Sequence, residues 1–308
     1  MAAVSPEIMH ALTTALSAAY VNGLKGVTPQ YLRIATVVPS GSASNTYGWL
    51  SDLPGIREWV GDRRLAELEQ HGYTISNKTW ENSIRVKRES IEDDQIGQYS
   101  VIAQGFGRQV GVFPDTLAFK LLSEGFSNLC FDGQNFFDTD HPMAGGTYSN
   151  IVGDGTETGE PWFLIDESQI LKPILYQNRR EFDFVALDDF NNEHTFLKNE
   201  FLYGIDGRSN VGFGFWQTAV ASRAPLTTAN YEKAVAVLQG MKRDDGEPLG
   251  ITPTTLVVGR NNRAAAKKVI EAQLVEGGDS NIYYKDVDIV NSPFIVTPAA
   301  TPAPTPEG

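Results

Sequence analysis

The sequence predicts an α+β fold, in which helices and sheets occupy separate blocks of the chain. Apolar residues recur every three or four positions from Ile96 to Phe113, which is the periodicity of an amphipathic helix. Apolar and polar residues alternate roughly between Ile75 and Arg88, which is the two-residue period of a strand with one solvent-facing side. Further strand-like runs follow at 161–166, 170–176, 181–187 and 195–205.

Composition places the 308-residue chain among folded globular proteins, because apolar residues make up 41% of it and charged residues 20%. The 25 Lys and Arg residues against 38 Asp and Glu residues give a formal net charge of −13. A chain this acidic, with no basic run, is a poor candidate for wrapping nucleic acid, which requires clustered positive charge. It is still suited to the wall of a container, since it would repel packed DNA and not hold it.

The single cysteine, Cys130, excludes an intrachain disulfide. No apolar run approaches the roughly 20 residues of a membrane-spanning helix, so we expect no membrane contact. The N-terminal segment lacks the basic start and continuous apolar stretch of a signal peptide. We therefore expect the protein to be made and kept in the cytoplasm.

The N-terminal residues 6–22 predict a short amphipathic helix. Ser5 is a suitable N-cap, Pro6 suits the first helical position, and Gly23 is placed to end the helix. The apolar stripe of this helix needs a partner. The following residues 24–45 are poor in apolar runs, so the helix either lies at the end of an arm or packs on its own domain.

Residues 46–90 predict extended structure that is unusually rich in charge. Residues 57–94 contain seven basic and nine acidic side chains, too many for a substantial core. One interpretation is a solvated hairpin. The alternative is a protruding hairpin whose charges contact a neighbouring subunit, where repeated pairs fix register although each exposed pair contributes only about 0–1 kcal/mol.

A long helix is predicted to follow. Ser90 to Asp93 resembles a capping box at its start. Four glycines weaken this helix intrinsically, so packing must hold it or its backbone must approach another element closely; they are Gly97, Gly105, Gly107 and Gly111. Pro114 is expected to kink the helix or to start a second one that ends at Gly125.

The last third of the chain predicts a second block of helix, strand, helix and strand. The helices are expected at 229–242, with Thr227 or Thr228 as N-cap, and at 263–275. The strands are expected at 256–258 and 281–290.

The densest polar cluster in the sequence is FDGQNFFDTDHP, residues 131–142. Asp132, Asp138, Asp140 and His141 suggest a metal site, but their spacing fits no established calcium loop. A structural role is favoured, in which Asp132 starts a turn and the two phenylalanines enter a core. Cys130 and His141 offer a nucleophile pair without a recognisable third member. We expect no catalytic residue, no cofactor and no metal.

Six segments in series resemble one family: NTYGWL (45–50), EWVGDRR (58–64), HGYTISNKTWE (71–81), DGQNFFDTDHP (132–142), NEFLYG (199–204) and GFGFWQTAV (212–220). Together they resemble the major head (capsid) protein of Mu-like phages, over residues 5 to 295. The resemblance implies the Hong Kong 97 capsid fold. The segments implied are an N-terminal arm (1–45), an extended loop (46–92), a peripheral domain with a long spine helix (93–222), an axial domain (223–290) and a disordered Pro-rich tail (291–308).

The function that this resemblance implies is self-assembly into a virion shell. Subunits would form hexamers and pentamers that close into an icosahedral head around double-stranded DNA, with a scaffolding protein, a portal and possibly a decoration protein as partners. Candidate intersubunit contacts, chosen from charge and position, are Arg57, Glu58, Arg63, Arg64, Glu89, Glu92 and Asp93. Two alternatives stay open: an encapsulin-like compartment shell of the same fold, and a Cys-His hydrolase that uses Cys130.

Overall fold

The computed structural model describes residues 5–47, 72–93, 96–143, 146–153, 156–243, 246–275 and 277–297. The α-helices of these stretches are α1 (Pro6–Lys25), α2 (Arg88–Glu92), α3 (Ile96–Ser123), α4 (Glu193–Lys198), α5 (Thr228–Gln239) and α6 (Arg263–Ala266). The strands are β1 (Ala35–Pro39), β2 (Ser44–Tyr47), β3 (Tyr73–Ser76), β4 (Lys78–Lys87), β5 (His141–Met143), β6 (Gly146–Tyr148), β7 (Trp162–Ile165), β8 (Ile174–Leu187), β9 (Glu200–Phe213), β10 (Ala219–Ser222), β11 (Thr255–Val258) and β12 (Asp288–Asn291).

Two four-stranded sheets form the body of the protein. The first has the strand order β1-β8-β9-β4, with β1 parallel to β8 and the other pairs antiparallel. The second has the order β10-β7-β11-β12, with β11 parallel to β12 and the other pairs antiparallel. Short antiparallel pairs are formed by β2 with β3 and by β5 with β6. The predicted α+β class is therefore confirmed.

The long helix α3 lies beside the first sheet and reaches the core of the second. Its N-terminal half contributes Ala103 and Phe106 to clusters shared with β4 and β9, and its C-terminal half buries Phe119 and Leu122 in the main core. The helix runs unbroken through Pro114, so of the two alternatives predicted there the start of a second helix is wrong, and the kink stays a prediction. Packing on both sides of the proline holds the helix together although one backbone hydrogen bond is missing.

Helix α1 packs along α3, so the structure has the N-terminal helix on its own domain. Its N-cap is Ser5, whose hydroxyl accepts a hydrogen bond from the Ile8 N–H, as predicted. The expected end at Gly23 is wrong, because the helix continues to Lys25. A Cβ atom on Gly23 would lie 2.0 Å from the carbonyl oxygen of Gln104 in α3. Gly23 is therefore a contact point between the two helices.

The glycines of α3 divide into two kinds. A Cβ atom on Gly107 would lie 1.9 Å from the carbonyl oxygen of Tyr20, and one on Gly111 would lie 2.8 Å from the side chain of Val27. Gly97 and Gly105 have nothing within 4 Å of that position. The predicted close backbone approach is therefore confirmed at two of the four positions.

The second sheet is the best-buried part of the molecule. Every residue of β7, β10 and β11 is buried. Helix α5 covers this sheet through Tyr231, Ala234 and Leu238, and its N-cap is Thr227, as predicted. Two of the sheet's strands lie before residue 223 and two after it. The domain boundary predicted there stays a prediction.

Two of the predicted strands are wrong in part. Residues 193–198 form α4, because the Asn192 side chain caps its start by accepting from the His194 N–H and Asn199, with φ +56°, ends it. The run at 170–176 enters the sheet only at Ile174, directly after Pro173, which has no N–H to donate. The rest of this run and the run predicted at 181–187 form one strand, β8, whose pairing with β9 has register shifts near Arg180.

The predicted capping box at Ser90 is also wrong. Strand β4 passes directly into α2, so Lys87 is the residue before the helix and Ser90 lies inside it. Asp93 follows the last helical residue and its backbone N–H donates to the Glu89 carbonyl oxygen. The long helix α3 begins at Ile96 and is separate from α2, which ends at Glu92.

The last third of the chain is less regular than its pattern suggests. The helix predicted at 263–275 is α-helical only to Ala266, continues as a wider turn from Lys267 to Glu271 and then stops. The Asn281 side chain and the Lys285 N–H donate hydrogen bonds to carbonyl oxygens at the end of this helix. These carbonyl groups are therefore satisfied without a further helical turn. The strand predicted at 281–290 is confined to β12.

The first residues of the predicted disordered tail are packed. Ile295 is buried in the main core, and the Val296 N–H donates to the Ser123 hydroxyl at the end of α3. Residues 298–308 lie outside the described residues.

The glycine contact between α1 and α3 predicts opposite effects for two alanine substitutions in the same helix. We expect Gly107→Ala to lower the free energy of unfolding by about 1–3 kcal/mol, because the added methyl group overlaps the Tyr20 carbonyl. Gly105→Ala is the control: its methyl group meets open space, so stability should be unchanged or rise by up to about 1 kcal/mol. Urea unfolding followed by circular dichroism measures both, and equal effects would contradict the contact.

Candidate functional sites

Strands β2 and β3 form the stem of the predicted hairpin. Tyr47 and Tyr73 pair across these two strands. The Tyr47 hydroxyl donates to Gln177 Oε1 at 2.7 Å, and the Phe213 N–H donates to the Tyr73 hydroxyl at 2.9 Å, so both stem strands are tied to the first sheet. Four predicted contacts in the intervening segment lie outside the described residues: Arg57, Glu58, Arg63 and Arg64.

The three acidic residues predicted as intersubunit contacts, Glu89, Glu92 and Asp93, lie on α2 or directly after it. They differ in how accessible their carboxylates are to a neighbouring molecule. Glu92 accepts a hydrogen bond from Arg88 Nε at 3.2 Å within the same chain, and its side chain is half-buried. Glu89 and Asp93 are exposed. Two of the three carboxylates are therefore accessible to a neighbouring molecule, and the role of all three in assembly stays a prediction.

Sequence analysis missed two exposed apolar sites. Phe196 is 84% exposed and Leu197 64% exposed on α4, at the end of the long β8–β9 hairpin. Ile282 is 82% exposed and Leu274 59% exposed, beside a small turn that contains Gly277 and Gly278. The first site was missed because residues 195–205 have the alternation of a strand. The capping residue Asn192 was the available signal for a helix.

The polar cluster of residues 131–142 folds into a tight turn followed by β5. Asp132 Oδ1 accepts the Gln134 N–H at 3.0 Å, Gly133 has φ +85°, and the Cys130 N–H donates to the Gln134 carbonyl oxygen at 2.8 Å. Phe136 and Phe137 are buried in the main core. The predicted turn and phenylalanine anchors are therefore confirmed.

The Asp132 carboxylate lies between the other two reactive groups of this segment. Cys130 Sγ donates to Asp132 Oδ1 at 2.9 Å, and His141 Nδ1 lies 2.7 Å from Asp132 Oδ2. His141 Nε2 lies 3.3 Å from Asn150 Oδ1, and the imidazole stacks on the Trp216 ring with a centroid distance of 3.9 Å. Both nitrogens of the imidazole therefore have hydrogen-bond partners other than the thiol.

This arrangement does not support the Cys-His hydrolase. Burial, together with the hydrogen bond to Asp132 and the negative charge of Asp132, raises the pKa of the Cys130 thiol. A nucleophilic cysteine needs the opposite shift, an exposed sulfur and a base that accepts its proton. Cys130 and His141 are both buried, and each forms its hydrogen bond with the Asp132 carboxylate and not with the other.

The GFGF segment at residues 212–215 is a packing element. A Cβ atom on Gly212 would lie 2.3 Å from Ile75 Cδ1, and one on Gly214 would lie 2.2 Å from the carbonyl oxygen of Lys172. Phe213 stacks on Phe136 with a centroid distance of 4.5 Å. The glycines admit neighbouring chain atoms and leave no room for a phosphate.

A charged bridge joins the start of the first sheet to the second. Arg33 Nε donates to Glu167 Oε2 at 2.7 Å, and its terminal nitrogen reaches Asp288 at 3.0 Å and Thr255 at 3.1 Å. The Thr255 hydroxyl also donates to Glu167 at 2.7 Å. Burial raises the pKa of Glu167, but these two hydrogen bonds and the positive charge of Arg33 outweigh it, so the pKa lies below its ordinary value.

In the described stretches, no helix is long and apolar enough to cross a membrane.

Comparison with known proteins identifies this architecture. The procapsid subunit of bacteriophage JBD30 superposes with a TM-score of 0.84 at 39% identity, over 94% of this chain and 100% of that chain. A second structure, the bacteriophage JBD30 capsid, gives 0.78 at 31% identity, over 96% and 100%. The fold is therefore that of a tailed-phage capsid subunit, the Hong Kong 97 type that the sequence resemblance implied.

The sequence relatives are more specific. Residues 9–295 match the family described as Mu-like prophage major head subunit gpT. The Mu-like prophage FluMu major head subunit of Haemophilus influenzae is 43% identical over 283 residues, 89% of this chain and 92% of that protein. The major capsid protein of Escherichia phage Mu is 40% identical over 287 residues, 91% and 94%. The chain belongs to the Mu-like gpT major head subunit family. It is a structural protein of the virion capsid and not an enzyme.

The Arg33 bridge predicts a defined loss of stability in acid. Because the pKa of Glu167 is lower in the folded than in the unfolded chain, its contribution is present above about pH 4.3 and is lost as the pH falls toward the folded-state value. We expect Glu167→Gln to be less stable than the parent by about 1 kcal/mol at pH 7, and the gap to close in acid.

Urea unfolding of both proteins between pH 7 and pH 3 measures this gap. The control is Glu271→Gln, which removes an exposed pair with Lys267 and should cost no more than about 0.5 kcal/mol. A gap for Glu167→Gln that stays constant with pH would contradict the assignment.

Proposed function

We propose that this chain is the main building block of a Mu-like phage head and that its copies assemble as hexamers and pentamers into a closed icosahedral shell around double-stranded DNA. The observation that carries the proposal is the match of nearly the whole chain to head subunits, including the JBD30 procapsid subunit at a TM-score of 0.84. Membership of this family favours a phage head over an encapsulin-like compartment shell.

The hairpin between Tyr47 and Tyr73 is proposed as the main element that reaches a neighbouring subunit. Its stem is fixed to the first sheet, so both ends of the segment between the two tyrosines are attached to the body of their own subunit. The segment at residues 48–71 contains three basic residues, Arg57, Arg63 and Arg64, among five acidic ones, and the exposed acidic residues Glu89 and Asp93 are available on the body of each copy. Individual pairs of opposite charge between these two elements favour one register between subunits.

The exposed apolar residues are proposed as further contacts between copies. Phe196 and Ile282 are each more than 80% exposed, and burying a side chain of this size contributes about 1.5–3 kcal/mol. Isolated surface residues of this kind need no special explanation. In a closed shell, however, a contact is repeated at every symmetry-related position, so small contributions add up.

The net charge of −13 supports a shell that encloses the genome without binding it sequence-specifically. A wall with this charge repels packed DNA and provides no clustered cations for sequence-specific binding. Partners proposed for assembly are a scaffolding protein and a portal. A decoration protein is a further proposed partner, because one related JBD30 capsid is decorated with minor capsid protein trimers.

Charge reversal on the hairpin tests its role. We expect Arg63→Glu with Arg64→Glu to block shell formation while the subunit still folds, because the contact with acidic groups of a neighbour becomes repulsive. Negative-stain electron microscopy of the purified protein detects rings and closed particles, and circular dichroism monitors folding. The control, Arg63→Lys with Arg64→Lys, keeps the charge and should assemble. Normal particles from the double glutamate variant would remove the hairpin contact from the proposal.

The α4 contact has its own test. We expect Phe196→Asp to reduce the yield of closed particles at least tenfold without lowering subunit stability, because the side chain is 84% exposed in the free subunit. Phe196→Leu, which keeps an apolar side chain, serves as the control and should retain most of the yield. Unaltered assembly of the aspartate variant would show that α4 faces solvent in the shell.

A further inference from the structure

We propose that Cys130, Asp132 and His141 form a binding site for one zinc ion, a property separate from the assembly function. The thiol sulfur, a carboxylate oxygen and an imidazole nitrogen of these residues all lie within 4.8 Å of one another. Asp138 and Asp140, the other candidates in the segment, are not part of this group. Asp138 accepts the Asn135 and Thr139 N–H groups, and Asp140 is exposed.

The fold itself brings the three donors together. The turn at Gly133 places Cys130 beside Asp132, and β5 returns His141 to the same carboxylate nine residues later. Two contacts, Sγ to Oδ1 at 2.9 Å and Nδ1 to Oδ2 at 2.7 Å, each contain one shared proton. One divalent cation between the three groups replaces both protons, which leave to solvent, and the total charge of the site is unchanged.

The orientation of the imidazole suits coordination through Nδ1. Its Nε2 faces Asn150 Oδ1, and the Asn150 amide is itself fixed, because its Nδ2 donates to the Phe136 carbonyl oxygen at 2.8 Å and its Oδ1 accepts the Asp138 N–H at 2.9 Å. The Nε2 atom therefore carries a proton. A histidine that binds a metal commonly donates its other N–H to such an oxygen, which holds the ring in place. Stacking on Trp216 restricts the ring further.

The donor set selects zinc over magnesium or calcium. A thiolate and an imidazole are ligands that zinc prefers, whereas the two lighter ions bind oxygen. Tetrahedral zinc, with bonds of about 2.3 Å to sulfur and about 2.1 Å to nitrogen, separates these two atoms by about 3.6 Å. The sulfur and one imidazole nitrogen lie within 4.8 Å of each other, so they would have to approach by at most about 1.2 Å to reach this spacing. A water molecule would take the fourth position, because Gly133 of the turn is exposed.

The bound ion would fasten the turn to β5 and, through the stacked ring, to Trp216. An ion that binds only the folded chain stabilises it in proportion to the logarithm of its concentration. The experiment therefore uses the tag-free full-length chain, treated with chelator and dialysed, and then titrated with zinc sulfate. We expect one zinc per chain by mass spectrometry of the metal content and a rise in melting temperature with zinc concentration. Cobalt chloride, used instead, should give the near-ultraviolet absorption of a cobalt–thiolate bond.

Substitutions distinguish zinc binding at this site from zinc binding elsewhere on the acidic surface. We expect Cys130→Ala to abolish the cobalt–thiolate absorption and to weaken zinc binding at least tenfold, and Asp132→Asn to weaken it comparably. Asp140→Asn, an exposed carboxylate in the same segment, is the control and should bind zinc like the parent. Two results would overturn the proposal: no zinc-dependent rise in melting temperature of the parent, or parental zinc affinity in both cluster variants. If one of the two cluster variants fails to fold, the zinc affinity of the other variant and the cobalt absorption spectrum of the parent still test the proposal.

Discussion

Helices α1 and α3 touch through their backbones at Gly23 and Gly107, and the position of the N-terminal part of the described chain depends on this contact. Side chains at either position would meet a carbonyl oxygen about 2 Å away, so only glycine permits the approach. The short distance between the helices lets Leu12 and Leu16 of α1 reach the cluster that α3 shares with β4 and β9. The glycines weaken α3 as an isolated helix and are necessary for its packing.

The continuity of α3 has a second consequence, because the helix belongs to two cores at once. Before Pro114 it packs against α1 and the first sheet, and after it Phe119 and Leu122 enter the core of the second sheet. Arg33 adds a polar connection between the same two sheets through Glu167 and Asp288. The two sheets are therefore joined both by the apolar core around α3 and by this polar contact.

The outward-facing parts differ in character from this body. The hairpin stem is fixed by tyrosine hydrogen bonds, whereas Phe196 and Ile282 lie exposed at the ends of turns and short helices. Among the described residues, nothing in the same subunit covers these apolar side chains, which is why they are proposed as contacts between copies. The cluster of Cys130, Asp132 and His141 differs from both, because its polar groups are buried and form hydrogen bonds with one another. Its chemistry is therefore separate from the surface proposed for assembly.

The sequence alone determined the α+β class, the long amphipathic helix, the alternating strands around Ile75 and Val86, and the family, because periodicity and serial motifs are local properties. It also indicated that glycines in α3 require a close contact. Only the tertiary structure decided which glycines make it, that Pro114 lies inside one helix, and that residues 193–198 are helical despite their alternation. It also decided that Cys130 joins Asp132 and His141 while Asp138 and Asp140 do not. These outcomes depend on which segments distant in sequence meet in space, and spacing along the chain does not contain that information.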